Sequence, residues 1–236
     1  MRGIRKMRVL AGVVVALGMG AACGALAAQG GGSHLETVLR EMDAGSARFH
    51  SAEADIQKEQ YTKIVNDTAT EKGKIYFERS GKSIEVGAKF VPPNAQTLEY
   101  RNGKVRLYSA GTNHIEEYST TGANQARFET FLTLGFGGSG RDLEKAWKIT
   151  DEGQEQMSDG GKTVSVEKLD LAPKQASVET TFTHITIWVD PVRDVSLKQV
   201  FYTPSGDTQT AIYSNIQLNA TINKKAFAIQ CNGKCS

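Results

Sequence analysis

Gly135, Gly137 and Gly140 stand at the spacing with which a dinucleotide-binding loop turns backbone N–H groups onto a phosphate. That chemistry needs a strand before the glycines and a βαβ unit around them, whereas the residues before Gly135 read as helix. The three glycines are therefore read as a turn between two short helices. The four histidines, His34, His50, His114 and His184, include no i, i+4 pair and no His-x-His, so their spacing points to no metal. His184 falls within a strand and reads as a wall residue. Serines and aspartates are present without a nucleophile-elbow pattern, so no catalytic residue and no cofactor is expected. An exported hydrolase with a scattered catalytic set is the enzymatic alternative.

Two cysteines carry the remaining chemistry. Arg2, Arg5, Lys6 and Arg8 precede an apolar run over residues 9–22, which is the pattern of a secretory signal peptide. Ala25-Leu26-Ala27 offers small residues at the two positions a signal peptidase reads, so residues 1–27 are expected to be removed and Ala28 to begin the mature domain, residues 28–236. Cys23, after Gly20-Ala21-Ala22, leaves a lipoprotein reading open, although that triplet lacks the usual Leu. Cleavage after Ala27 leaves Cys231 and Cys235, an even count in an oxidising compartment, and one short disulfide is the simplest expectation. It also moves the charge balance from 28 basic against 26 acidic residues to 24 against 26. A near-neutral exported chain has no electrostatic footprint for nucleic acid. The expectation is one exported domain, a monomer, with a real core.

The elements that must position any site are mostly strands. Ser33 with Glu36 forms a capping-box pattern ahead of Leu35, Val38, Leu39 and Met42, predicting a first helix that ends near Gly45. From Ala52 the period becomes two. Ile75 and Phe77 alternate with Lys74, Tyr76 and Glu78, while Ile84, Val86, Ala88 and Phe90 share a face. Asn102-Gly103 between two alternating runs predicts a tight hairpin. A strand near residues 114–118 leads into residues 124–147, the one amphipathic helical stretch set among the strands. There Phe128, Phe131, Leu132 and Phe136 fall on one helical face with Arg127 and Glu129 turned away, and Gly135 reads as the stop. Ser139 and Asp142 predict a second short helix carrying Leu143, Ala146 and Trp147. Strands resume near residues 164–171, with a phase slip between Val166 and Leu169 read as a bulge. A meander follows over 181–189, 197–202 and Thr208–Leu218. Its first strand carries bulk on both faces, with Phe182, His184 and Trp188 on one parity and Ile185, Ile187 and Val189 on the other. Such a sheet must be covered on both sides or hold something apolar. No repeat and no linker divides the chain.

The order of these features resembles one family, the periplasmic outer-membrane lipoprotein carriers of the LolA type. The resemblance rests on Phe49-His50-Ser51-Ala52 leading into a strand with Gln60, on the run from Gly73 through Lys74, Ile75, Tyr76, Phe77 and Glu78 to Arg79, and on Asn102-Gly103-Lys104 before Leu107-Tyr108. Leu171-Ala172-Pro173-Lys174 resembles the Leu-x-Pro-Lys that follows the family's helical insertion, and Asn219, Ile222 and Phe227 resemble its closing strand. The resemblance implies an α+β fold: a single curved antiparallel sheet of about eleven strands, an open half-barrel with helices over its concave face. It implies a non-enzymatic carrier of lipoprotein acyl chains or another envelope lipid, with an inner-membrane donor and an outer-membrane acceptor. The implied lipid-binding residues are Phe77, Val86, Phe90, Leu107, Trp188 and Phe201 on the sheet. On the lid they are Phe128, Phe131, Leu132 and Phe136. The family's latch arginine, in a Lys-Arg-Pro triplet that bonds to the lid, matches Arg79, although the triplet here reads Glu78-Arg79-Ser80. The family's Pro-rich ending is replaced by Cys231 and Cys235. The alternative to a carrier is a sensor or protein-binding module of the same fold that carries no lipid.

Overall fold

The computed structural model describes residues 30–81, 83–120, 129, 132, 134–179 and 181–235, without the side chains of 30–33, 176 and 177. Eleven strands form one open antiparallel sheet. They are β1 (Ser51–Thr62), β2 (Asp67–Ser80), β3 (Ser83–Phe90), β4 (Gln96–Arg101), β5 (Lys104–Ser109), β6 (His114–Ser119), β7 (Trp147–Asp159), β8 (Lys162–Pro173), β9 (His184–Asp190), β10 (Val195–Tyr202) and β11 (Thr208–Leu218). Their order across the sheet is β6-β5-β4-β3-β2-β1-β11-β10-β9-β8-β7. The sheet is thus two meanders, β1–β6 and β7–β11, zipped at the middle by β1 against β11. Because β6 and β7 are the two outer edges, the chain between them must pass from one edge of the sheet to the other.

Alternation within each strand, carried across the sheet by register, separates two faces. On the inner face Phe77 stands opposite Ala52 and Val86, Val86 opposite Tyr100, Leu98 opposite Leu107, and Phe201 opposite Ile185. Ile185, Ile187 and Val189 lie under helix α1 (Gly30–Arg48), packed with Val38, Leu39 and Met42. Helix α2 (Gly140–Ala146) adds Leu143, and Trp147, expected as helix, is its C-cap and the first residue of β7. Ser139 caps α2 as its sequence predicts: its Oγ accepts from Asp142 N (3.1 Å) and donates to Asp142 Oδ2 (2.8 Å). Among the described residues no helix is long and apolar enough to cross a membrane.

Four expectations from the sequence change. Helix α1 runs past both predicted ends; Ser33 lies inside it, and Gly45 is kept for close approach, since a Cβ there would stand 2.6 Å from Asp194 Cβ. The phase slip between Val166 and Leu169 is not a bulge of β8. Both faces of that strand are buried, and the extra residue sits opposite, between Asp151 and Gln154 of β7, where Gly153 has φ +92°. Strand β7 itself does not show in the sequence because residues 150–156 are polar on both parities. Third, Asn102 (φ 53°) and Gly103 (φ 73°) do form the tight turn, with Arg101 opposite Lys104, but residues 181–183 precede β9 rather than belong to it. Last, Gly135 takes φ +68° in a turn, so Phe136 lies beyond the helical face to which its i+8 spacing assigned it.

Candidate functional site

Phe136 is fully buried at the centre of the inner face. It stacks on Phe77 at 4.1 Å and 10°, meets Tyr213 edge-on at 4.8 Å, and its backbone bridges to Val195 of β10. Leu132, in a helical residue of the crossing segment, packs against the same cluster, as do Phe90, Leu98 and Val105. Phe201 sits farther along the inner face against Phe182, with centroids 5.2 Å apart. Leu107 is half-buried beside Leu98. Phe128 and Phe131 lie outside the described residues. Trp188 is the member of the predicted set that the fold separates from the rest. Its parity is opposite to Ile187, so it faces outward, where its Nε1 donates to Glu155 Oε2 (2.8 Å) and Lys198 lies 4.5 Å over its ring. The bulk on both parities of β9 thus serves two layers: α1 covers one, and on the other Trp188 packs with Val164, Val166 and Met157 of the β7–β8 hairpin.

The segment that crosses the inner face is held by polar groups as well as by rings. Arg79, at the end of β2, donates from Nη2 to the Gly137 carbonyl (2.7 Å) and from Nη1 to the Ser46 carbonyl of α1 (3.0 Å). Ser46 Oγ donates to the same Gly137 oxygen at 2.7 Å. Gly137 has φ +76°, and a Cβ on it would stand 2.5 Å from the Phe49 ring, so only glycine brings its carbonyl to this point. Gln199, buried on β10, donates to the Leu134 carbonyl, and Ser196 N–H donates to the Gly135 carbonyl (2.5 Å). Glu129, expected to face away, instead reaches the sheet and accepts from Ser83 Oγ (2.6 Å) and Tyr100 Oη (2.7 Å). Heptad-like spacing predicts which residues share the apolar stripe; it does not reveal that the neighbouring carboxylate has a buried hydroxyl to meet.

Asp194, in the β9–β10 turn, is a residue that sequence reasoning missed. It is 0% exposed, and among the described residues neither carboxylate oxygen has a hydrogen-bond partner. Burial pushes its carboxyl up to about 8, opposed by the Arg79 charge and the Gly137 N–H and reinforced by Asp43. The Gly137 N–H is directed at the Asp194 carbonyl (3.4 Å).

The fold also gathers His34, Asp151 and Glu167, with ligand atoms within 4.8 Å of one another. His34 Nε2 is 3.1 Å from Glu167 Oε2, and Gln154 donates to the other Glu167 oxygen (2.9 Å). One imidazole with two carboxylates is a donor set that zinc accepts, and here the same atoms clasp the first turn of α1 to β8. His184 is an outer-face residue stacked on Tyr202 at 4.1 Å.

At the other end of the sheet, the C-terminal tail runs along the outer face. Its 3₁₀ turn (Lys224–Phe227) sets Phe227 edge-on against Tyr76 at 4.8 Å, and Lys224 pairs with Glu85 (2.8 Å) and Glu78. Cys231 and Cys235 are joined, and Asn113 of the β5–β6 turn donates to the Asn232 and Lys234 carbonyls (3.1 Å each). A cavity of about 570 Å³ lies beside this tail, lined by Tyr76, Glu99, Arg101, Lys224 and Phe227 among others. Val86 and Tyr100 also border it, while Tyr76, Lys224 and Phe227 line it from the face away from Phe136.

No protein family's sequence profile matches the chain, and no curated protein does. Solved structures do. The MucA/MucB complex of Pseudomonas aeruginosa superposes with TM-score 0.50 at 10% identity over 84% of this chain and 61% of that one. An uncharacterized conserved protein from Thermus thermophilus gives 0.50 at 10% identity, over 85% and 96%. A putative outer membrane lipoprotein-sorting protein domain from Vibrio parahaemolyticus gives 0.42 at 12% identity, over 82% and 95%. The fold is LolA-like. Eleven antiparallel strands left open, with helices over one face, are what the sequence resemblance implies. At these identities the likeness speaks for the LolA-like fold and for nothing finer, and this chain spans under two thirds of the MucB chain.

Proposed function

We propose that this chain is an exported, non-enzymatic carrier that holds lipoprotein acyl chains, or another envelope lipid, on the inner face of its sheet and passes them toward the outer membrane. On this reading residues 1–27 are a cleaved signal peptide, residues 28–236 are the carrier domain, and the protein works as a periplasmic monomer between an inner-membrane donor and an outer-membrane acceptor. The observation that carries the reading is the way the inner face is covered. Its apolar wall, Phe77, Val86, Phe90 and Leu98, packs in one cluster with Leu132 and Phe136 of a segment outside the sheet that hydrogen bonds pin at Gly137, Leu134 and Glu129. Such bonds are each worth about 1–3 kcal/mol and are directional, so the cover can release them one by one without breaking the strand ladder. Acyl chains need such a shelter: at about 0.8 kcal/mol per CH₂, a chain of about sixteen carbons resists leaving a membrane by roughly 13 kcal/mol. In the closed form Phe136 occupies the place the cargo would take, and Phe128 and Phe131 are assigned to the same cover.

The second reading, a protein-binding module without lipid, is favoured by the filled inner face and by the likeness to MucB, which was crystallised with MucA. One experiment separates them. Protein purified from its own periplasm is examined by native mass spectrometry and solvent extraction. A carrier yields bound acyl-containing species released on denaturation; protein that is lipid-free, but bound to an envelope polypeptide, overturns the carrier reading.

A further inference from the structure

Asp194 is buried, its carboxyl without a hydrogen-bond partner among the described residues, at a place where three parts of the molecule meet. Gly45 of α1 touches its Cβ, Gly137 of the crossing segment bonds to its carbonyl, and Arg79 of β2 lies within electrostatic reach. A buried acid with no hydrogen bond is unfavourable in any static fold, and such groups persist where a second state uses them. In the closed arrangement Arg79 is engaged elsewhere, on the Gly137 and Ser46 carbonyls. If residues 134–137 lift off, Arg79 loses the Gly137 carbonyl while Nη1 keeps the Ser46 carbonyl, and Nη2 is freed to turn to the Asp194 carboxyl, which the same movement uncovers.

Resting on the carrier reading's movable cover, we propose that Asp194 is the second seat of the Arg79 guanidinium: closed, Arg79 binds the Gly137 carbonyl; open, it pairs with the Asp194 carboxylate. The switch has a proton balance. Closed, the carboxyl is protonated because burial raises it to about 8; opening releases that proton to solvent and forms the ion pair. The other charged group facing Asp194 is Asp43 of α1, which stays engaged with Arg141 of α2 (3.3 Å) and opposes ionisation. Ser46 and Gly137 contribute uncharged donors. Opening is therefore favoured as pH rises toward 8 and levels off above it. The role assigned to Asp194 is one of positioning, because it acts through Arg79 and touches no cargo.

The test is amide hydrogen exchange of residues 134–137 in the full mature chain, corrected for intrinsic rates, between pH 6 and 9. The expected opening constant rises roughly tenfold per unit to about pH 8 and then flattens. Asp194→Asn should abolish the slope. At pH 9 it should lower opening at least tenfold in the wild-type background and by a clearly smaller factor in an Arg79→Leu background, where uncovering alone still drives ionisation but no pair forms, and Arg79→Lys should restore part of the coupling. Equal factors in both backgrounds, or an unchanged slope in Asp194→Asn, overturn the proposal. Circular dichroism checks that each variant is folded. Exchange requires no lipid, so a coupled latch in a protein that carries none would leave this inference standing and remove the carrier reading.

Discussion

Asp194→Asn should make the protein more stable at neutral pH and leave it unchanged in acid. In the unfolded chain Asp194 titrates at its ordinary 3.8; folded, burial raises it to about 8. A raised folded value means that the native state holds the proton more tightly. The stability this group contributes is then full below pH 4 and is lost as pH rises to 8. At roughly 1.36 kcal/mol per unit, the loss is on the order of 4 kcal/mol at pH 7 and 5–6 kcal/mol above pH 8. Asparagine keeps the shape and cannot ionise, but its unpartnered amide costs about 1–3 kcal/mol, much as the protonated acid does. The difference between wild type and variant should therefore be near zero at pH 4 and favour the variant by roughly 5 kcal/mol at pH 7.5. Urea melts from pH 4 to 9 measure it, and subtraction cancels every other titrating group. Two parallel curves would mean that the carboxylate finds solvent or a partner in the folded protein, and the reasoning about its burial would be wrong.

Phe136→Ala removes a fully buried ring from the stack with Phe77 and should cost about 3–5 kcal/mol if the aromatic cluster is a fixed core. A cost below about 2 kcal/mol, together with faster uptake of a fluorescent fatty acid, is the outcome expected of a displaceable cover. Changing Cys231 and Cys235 together to Ser opens a loop with a sequence separation of 4, and a loop that small restrains only its own tail. Thermal melting should shift by a few degrees at most, while exchange at residues 229–235 rises as the tail leaves Asn113. A global loss of fold would show that the tail ties β3–β5 together.

The alternation of Ile84, Val86, Ala88 and Phe90, the Asn102-Gly103 turn and the Ser139–Asp142 cap are legible from the chain, because each depends on residues within a few positions of one another. The ordered set of such pieces also carries the fold class. Sequence fails where polarity hides a strand, as in β7, whose mostly polar residues between Trp147 and Asp159 are held chiefly by pairing with β8. It cannot say which bulky parity of β9 faces inward, so it groups Trp188 with Phe77 although the register places them on opposite faces. Glu129 is a similar case: its hydroxyl partners, Ser83 and Tyr100, lie 46 and 29 residues away. The Arg79–Ser46–Gly137–Asp194 group spans four elements, and no local pattern marks it. A left-handed turn residue at Asp194 reads from sequence as an ordinary solvent-facing aspartate. That it is buried follows only from the crossing of the 134–139 segment over the β9–β10 turn, where α1 comes close enough to need Gly45. Local periodicity thus determined the strands and the cap, and long-range closure decided which charges lost their water.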